Sequence, residues 1–269
     1  MKIRLDPVPP GVELALDDAD ASVPDRPSKD RLRERFDELA TRFQAVQPAL
    51  YADGSRGMLV VLQGRDASGK DGVVSKVFGL INPQGFTTRS FGVPEPHELR
   101  HDYLWRVHNA VGPRGSITVF NRSHYEDVLV VRVRQLVQEA VWARRFDQIN
   151  AFERMLTDNG YAVLKFFLHV SRAEQGKRLE ERLDDPEKNW KFRLGDLDDR
   201  ARWDDFTLAY RDAIARCSTV DAPWFVVPAD EKRYRDVLVL DTVVRTLEEM
   251  HLTFPGASAE VLARRGTIA

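Results

Sequence analysis

The hydrophobic positions of this chain follow two patterns. Leu32, Phe36, Leu39 and Phe43 recur every three or four residues, which predicts a helix from Ser28 to the Asp53-Gly54 pair. Four other stretches are short and nearly unbroken: MLVVLQ (58–63), GSITVFN (115–121), YAVLKFFLHV (161–170) and PWFVVPA (223–229). Apolar runs of strand length without polar alternation predict strands covered on both faces, as in a parallel sheet. TTRSFGVP (87–94) reads as a further strand. Between them lie stretches that read as helices: GVVSKVFGLIN (72–82), HELRHDYLWRVHNA (97–110), YEDVLVVRVRQLV (125–137), FDQINAFERMLTDNG (146–160), AEQGKRLEERLDD (173–185) and RYRDVLVLDTVVRTLEEMH (233–251). Ser171 and Glu174 form a capping box ahead of the fifth of these. Strands that alternate with helices predict an α/β fold, a three-layer sandwich around a parallel sheet. Residues 1–27 are Pro- and Asp-rich and aperiodic, and read as an arm over the surface or a disordered segment. Residues 28–269 read as one domain, with a polar, turn-rich segment at 184–205.

Composition narrows the picture. With 269 residues, 43% of them hydrophobic, the chain can bury a large core as one domain or at most two. A formal charge of −2 implies no global attraction to nucleic acid or membrane, so a polyanionic ligand needs a local basic patch. The single cysteine, Cys217, lies in a helix-like stretch and reads as a buried, inert thiol. The first residues are interrupted by Pro7, Pro9 and Pro10 and lack the apolar segment of a secretory leader. No run approaches the length of a membrane span, so the expectation is a soluble cytoplasmic protein.

The candidate chemistry starts at VVLQGRDASGKDG. Gly64, Arg65, Asp66, Ala67, Ser68, Gly69 and Lys70 fit the phosphate-loop pattern G-x-x-x-x-G-K, after a predicted strand and before a predicted helix. Glycines let backbone N–H groups turn onto phosphate oxygens, the helix N-terminus adds partial positive charge, and Lys70 adds a full one. Asp71 stands where such loops carry a Ser or Thr for Mg²⁺, and Asp66 adds a second acid. A carboxylate can hold the metal instead. Asp66 suits that role, whereas Asp71 equally suits a helix N-terminus as a dipole-stabilising acid.

A second polar cluster, Asn121, Arg122, Ser123, Tyr125, Glu126 and Asp127, follows the strand GSITVFN, at a carboxyl end where α/β ligand sites form. Asp127 is a second candidate Mg²⁺ ligand, and Arg122 a candidate to neutralise phosphate charge. A helix start capped by Ser123 with Glu126 as partner explains part of the same cluster. Basic residues then crowd the segment of about 177–205: Lys177, Arg178, Arg182, Lys188, Lys191, Arg193, Arg200 and Arg202. Placed after a buried strand, they read as a lid that brings positive charge over phosphates and excludes water.

GRDASGKDG, FNRSHYEDVLV, RLDDPEKNWKF, HDYLWR and PWFVVPADEKRYRD together resemble polyphosphate kinase family 2, from about residue 30 to 250. The chain is most similar to the single-domain class that accepts both AMP and ADP. The resemblance implies a P-loop kinase-like sheet with a helical lid, and Mg²⁺-dependent phosphoryl transfer between inorganic polyphosphate and adenine or guanine nucleotides, with Mn²⁺ as a substitute metal. It implies that Asp66 and Asp127 hold metal, and that Lys70, Arg122, Arg178 and Arg182 act on phosphates. Asp71 lies within the family's pattern, and Gly72, Lys76, Arg106, Asn121, Tyr125, Glu126, Lys188 and Lys191 join the binding set. Arg132 and Arg134 extend the basic groove. His124 reads as exposed and Trp105 as core. No nucleic acid or membrane partner is implied, and a homo-oligomer, dimer or tetramer, is. Two other readings fit the bare motifs: an ATP-dependent nucleoside or nucleoside-monophosphate kinase, and a nucleotide- or polyphosphate-binding scaffold without turnover.

Overall fold

The structure is a computed structural model and describes residues 3–267. Its five strands are β1 (Gly57–Gln63), β2 (Phe86–Ser90), β3 (Ile117–Asn121), β4 (Tyr161–His169) and β5 (Trp224–Pro228). All pair in parallel, in the order β2-β3-β1-β4-β5. The helices are α1 (Lys29–Asp53), α2 (Lys70–Val77), α3 (Trp105–Ala110), α4 (Val130–Val133), α5 (Glu139–Asp158), α6 (Arg172–Asp184), α7 (Leu194–Ala201), α8 (Trp203–Cys217), α9 (Lys232–Glu249) and α10 (Ala259–Leu262).

The unbroken apolar runs have the expected cause. Every residue of β1 is buried. Met58, Val60 and Leu62 pack to one side against α1, α2 and α9, through Leu39, Phe43, Val73 and Leu238. Leu59 and Val61 pack to the other side against α5 and α8, through Phe146, Ile149, Tyr210 and Ile214. A strand with helices over both faces has no solvent side and no reason to alternate. The three-layer sandwich is therefore the observed architecture. Helix α1 begins where Ser28 accepts a hydrogen bond from the Arg31 N–H and ends at Gly54 in the left-handed conformation.

Three expectations need correction. The helix expected at 97–110 is a 3-10 turn at Glu98–Arg100 and the short α3. Asp102 accepts a hydrogen bond from the Leu104 N–H, a local turn that competes with helix. The helix expected at 125–137 is a 3-10 turn, His124–Asp127, followed by α4, and Gln135 at φ 53° ends it. The Ser171–Glu174 box is half formed. Ser171 accepts from the Glu174 N–H, but the Glu174 carboxylate takes the Arg178 guanidinium instead.

The described part of the arm, from residue 3, is packed rather than loose. Leu5, Val8, Leu16 and Ala21 are buried, and the Val8 N–H donates to the Trp224 carbonyl. The helix-like stretch at Cys217 is the end of α8. The thiol is buried there, which pushes it up to about 12. Among the described residues no helix is long and apolar enough to cross a membrane.

Candidate active site

The carboxyl ends of β1 and β3 place two loops side by side. The first runs from Gly64 to Gly69 and enters α2 at Lys70. It is built from constrained backbone: Ala67 has φ 60° and Gly69 φ 101°. A Cβ on Gly69 would lie 1.8 Å from Nη1 of Arg235. Arg235 is buried on α9, donates to the Ser68 carbonyl and is pinned by Asp236. Lys70 lies under the loop with Nζ donating to the carbonyls of Gly64 (2.7 Å) and Arg65 (3.1 Å). Burial, with the Arg122 charge added, pushes Lys70 down to about 8.

The second loop turns sharply at Arg122, itself left-handed at φ 63°. Such a backbone in a non-glycine residue is strained and recurs at functional sites. Arg122 Nη2 donates to Asp66 Oδ1 at 2.7 Å, and its Nη1 lies 3.9 Å from Glu126 Oε2. Glu126 also accepts from Gln63 at 2.9 Å. Asp66, Arg122 and Glu126 thus line one cavity together with Gly64 and Gln175. Burial raises Asp66, but the Lys70, Arg122 and Arg182 charges outweigh it and hold the carboxyl below its usual range. Burial likewise works against the Arg122 charge, and Glu126 and Asp66 outweigh it.

Other expected residues divide three ways. Asp71, Asn121 and Lys191 meet at the edge of the site: Asn121 donates to Asp71 at 2.7 Å, and Lys191, between α6 and α7, reaches its other oxygen at 3.3 Å. Arg182, near Asp66, is held by Asp196 at 3.4 Å. A second group supports the loop from behind. Arg178 spends all its donors, on Glu174 and on the carbonyls of Ala67, Ser68, Ala229 and Asp230. It ties the loop to the β5–α9 connection and has none left for a phosphate. Arg65 sits 3.7 Å over the Trp203 ring and donates to the Trp203 carbonyl, and burial pushes it down to about 10. Gly72 gives Arg235 room, and Ser68 is buried beneath the loop.

The third group lies elsewhere. Tyr125 is core, with its hydroxyl on Glu153. His124 is fully buried against the same carboxylate, the reverse of the exposed position expected. Trp105 is half exposed and stacks on His101 at 4.1 Å, so it is not core either. Lys76 and Lys188 are exposed, Lys188 against Asp185. Arg132 and Arg134 pair with Asp212 and Asp199. Asp127 lines a different cavity from Asp66 and lies between Arg145 (3.2 Å) and Arg106 (3.9 Å). Gln175 and Arg235 bond the phosphate loop and Asp196 holds Arg182, work that the sequence did not signal because each partner arrives only through folding.

The two acids expected to share a metal line different cavities. Asp127, between two guanidiniums in its own cavity, does not fit a cation shared with Asp66. Asp66 and Glu126 fit one: both are hard oxygen donors on the same cavity, beside the phosphate loop. Mg²⁺ takes one or two carboxylates and completes its shell with substrate oxygens and water. Among the described residues no group of three or more His, Cys, Asp or Glu forms an all-protein cage, which such a site does not require.

Comparison with known proteins adds an independent line. The family model "Polyphosphate kinase 2" matches residues 26–255. An AMP/ADP-polyphosphate phosphotransferase of Meiothermus ruber is 54% identical over 217 residues, 81% of each chain. An ADP-polyphosphate phosphotransferase of Rhodopseudomonas palustris is 41% identical over 240 residues, 85% of this chain and 83% of the relative. A crystal structure of polyphosphate kinase 2 from Arthrobacter aurescens superposes with a TM-score of 0.92 at 39% identity, covering 97% of this chain and 94% of that one.

Proposed function

The chain belongs to the polyphosphate kinase 2 family, and from that premise we infer a phosphotransferase that moves phosphoryl groups between inorganic polyphosphate and nucleotides. ADP is converted to ATP and AMP to ADP, as the name of the Meiothermus relative suggests for this chain. The observation that carries the reading is the convergence of Lys70, Asp66, Arg122 and Glu126 from two strand ends on one cavity.

The chemistry is an in-line displacement. An oxygen of the acceptor's terminal phosphate attacks the terminal phosphorus of polyphosphate. The bond to the next bridging oxygen breaks, and the shortened chain leaves with that oxygen's charge. Little covalent chemistry falls to the protein, so catalysis is positioning and charge neutralisation. The loop N–H groups and Lys70 cradle phosphate oxygens. Arg122, and Arg182 from the lid side, offset charge on the transferring group. Asp66 and Glu126 would hold Mg²⁺, and the ion would screen the phosphates from each other. Lys191, exposed on the lid, adds a cation at the mouth. Arg178 and Arg65 act on the loop's shape rather than on substrate. A buried, unpaired Cys217 suits the reducing cytoplasm, and a homo-oligomer of two or four copies completes the proposal.

The test is nucleotide turnover with purified protein, Mg²⁺, polyphosphate and either ADP or AMP, with no ATP added. ATP from ADP and ADP from AMP are the expected products. Turnover only when ATP is the donor would overturn the polyphosphate assignment.

A further inference from the structure

Gln175 on α6 uses both ends of its amide. Nε2 donates to the Asp66 carbonyl of the phosphate loop at 3.2 Å, and Oε1 accepts from Arg200 Nη1 of α7 at 2.8 Å. A guanidinium has no acceptor and a carbonyl no donor, so this is the one orientation in which the amide satisfies both. The side chain is 3% exposed. The next residue, Gly176, lies inside α6, where glycine is a poor helix former. Arg200 explains its place: a Cβ at 176 would lie 2.9 Å from Arg200 Nη2 and 3.3 Å from its Cζ. Arg200 also donates to the Arg172 carbonyl at 2.8 Å, so its guanidinium swings away only by losing both bonds. At the other end, the bond on the Asp66 carbonyl fixes the peptide that joins Asp66 to Ala67, the residue at φ 60°. A left-handed alanine persists only where its surroundings enforce it. A second tie runs beside the first. Arg65 of the loop donates to the carbonyl of Trp203, at the start of α8 and just beyond the end of α7. Two adjacent loop residues are thus bonded, one directly and one through a single amide, to the segment 200–203.

We propose that Gln175 is a positioning residue that passes the seating of α7 to Asp66. With Arg200 docked over Gly176, the amide holds the Asp66–Ala67 peptide, and the Asp66 carboxylate keeps its place against Arg122. With α7 undocked, the amide is free to turn, the strained peptide relaxes, and the carboxylate leaves the position from which it would hold Mg²⁺. The inference rests on the phosphotransferase reading and adds how the basic segment that carries α7 acts on the same site. Gln175 acts through the loop backbone rather than on a phosphate. Coupling of this kind is reciprocal, so a cation at Asp66 also favours the docked α7.

Gly176→Ala separates this coupling from stability. Alanine is the better helix former, so without ligands the variant should unfold at the wild-type temperature or above it. Its Cβ displaces Arg200, so the Mg²⁺ concentration for half-maximal transfer should rise about five- to tenfold and kcat fall about tenfold, with KM for ADP within about twofold of wild type. Thermal unfolding in polyphosphate alone or ADP alone, titrated with Mg²⁺, reads the same midpoint without turnover and should shift by the same factor. Gln175→Met removes the amide at similar volume and should give the same shift. The double variant should go no further than either single one, because both break one link. An unchanged Mg²⁺ midpoint in both readouts would overturn the proposal, and so would shifts that add in the double variant. A lower unfolding temperature with a uniform loss of activity and an unchanged midpoint would also overturn it, leaving the two residues a structural role. Should wild type transfer nothing from polyphosphate, the functional reading falls, while the midpoint in thermal unfolding still decides the coupling.

Discussion

Lys70 shows how much of the site's behaviour one side chain sets. Held down to about 8 by burial and Arg122, it is about half neutral at pH 8 in the free protein. A bound polyphosphate favours the ammonium, so binding near pH 8 takes up a proton, and uptake fades as pH falls below 7. Calorimetric titration in two buffers of different ionisation heat should show this uptake; identical heats at pH 8 would remove Lys70 from the phosphate contact. Above pH 8, KM for polyphosphate should rise. The stability effect has the opposite sign. The folded state disfavours charged Lys70, a penalty present below about pH 8 and relieved as pH rises toward lysine's ordinary 10.5. Lys70→Met should lower transfer by about 10²–10³-fold with the fold intact. Gly69→Ala is the backbone counterpart. The new Cβ meets Arg235, which Asp236 and Ser68 prevent from swinging away, at a φ that disfavours side chains. It should destabilise the protein by about 1–3 kcal/mol in thermal unfolding. The sequence made the loop lysine legible because its motif sits between a strand and a helix. It did not make Arg178 or Arg65 legible. A sequence gives an arginine's charge but not where its donors go, and here most go to backbone carbonyls, with one on the Glu174 carboxylate and one on the Thr207 hydroxyl.

The second loop depends on the elements beneath it. Lys165 on β4, Glu153 on α5 and the loop's own His124 and Tyr125 form a buried polar cluster. Lys165 also donates to the Cys217 carbonyl at the end of α8. Burial opposes the Glu153 charge, and Lys165 and His124 outweigh it, so the carboxylate stays ionised. Lys165→Met should cost about 3–5 kcal/mol in denaturant unfolding, because it strands a buried carboxylate. Adding Glu153→Leu should restore much of that loss; additive losses would mean the two do not form a unit. Nothing in YAVLKFFLHV predicted this. A lysine amid an apolar strand reads as noise until its partner arrives from another helix. The strands were legible because burial on both faces leaves a run that period and length identify. The helix expected at 97–110 was not, since its periodicity survives in sequence while Asp102 turns the backbone locally.

At the scale of the whole molecule, charge distribution matters more than its sum. A chain of net −2 confronts a polyanion through cations gathered at one end of the sheet. Screening at 0.15 M ionic strength acts over about 8 Å, so added salt should raise KM for polyphosphate more than KM for the nucleotide. The basic segment between α6 and α8, proposed as a lid, is tied to the rest of this surface mostly by polar contacts. Trp190, Leu194 and Leu197 are exposed there, as are Lys188, Lys191 and Arg193. It is held to the phosphate helix by Lys191 on Asp71, and to the rest by Arg182 on Asp196, Arg134 on Asp199, Arg200 on Gln175 and the Arg172 carbonyl, and Arg202 on the Val133 carbonyl. A partly exposed pair such as Lys191–Asp71 contributes about 1 kcal/mol or less, so the tie between this segment and the phosphate helix is weak. A polyphosphate chain that bridges Lys70 and Arg122 to the lid cations supplies a stronger tether, because several charges engage one ligand. Trypsin reads the difference directly. Cleavage after Lys188, Lys191 or Arg193 should be fast in the free protein and slowed several-fold by polyphosphate with Mg²⁺. Lys191→Ala should cut part of that protection while leaving protection by a nucleotide alone unchanged. Equal cleavage rates with and without polyphosphate would mean that the lid cations do not engage the chain, leaving neutralisation to the two loops beneath.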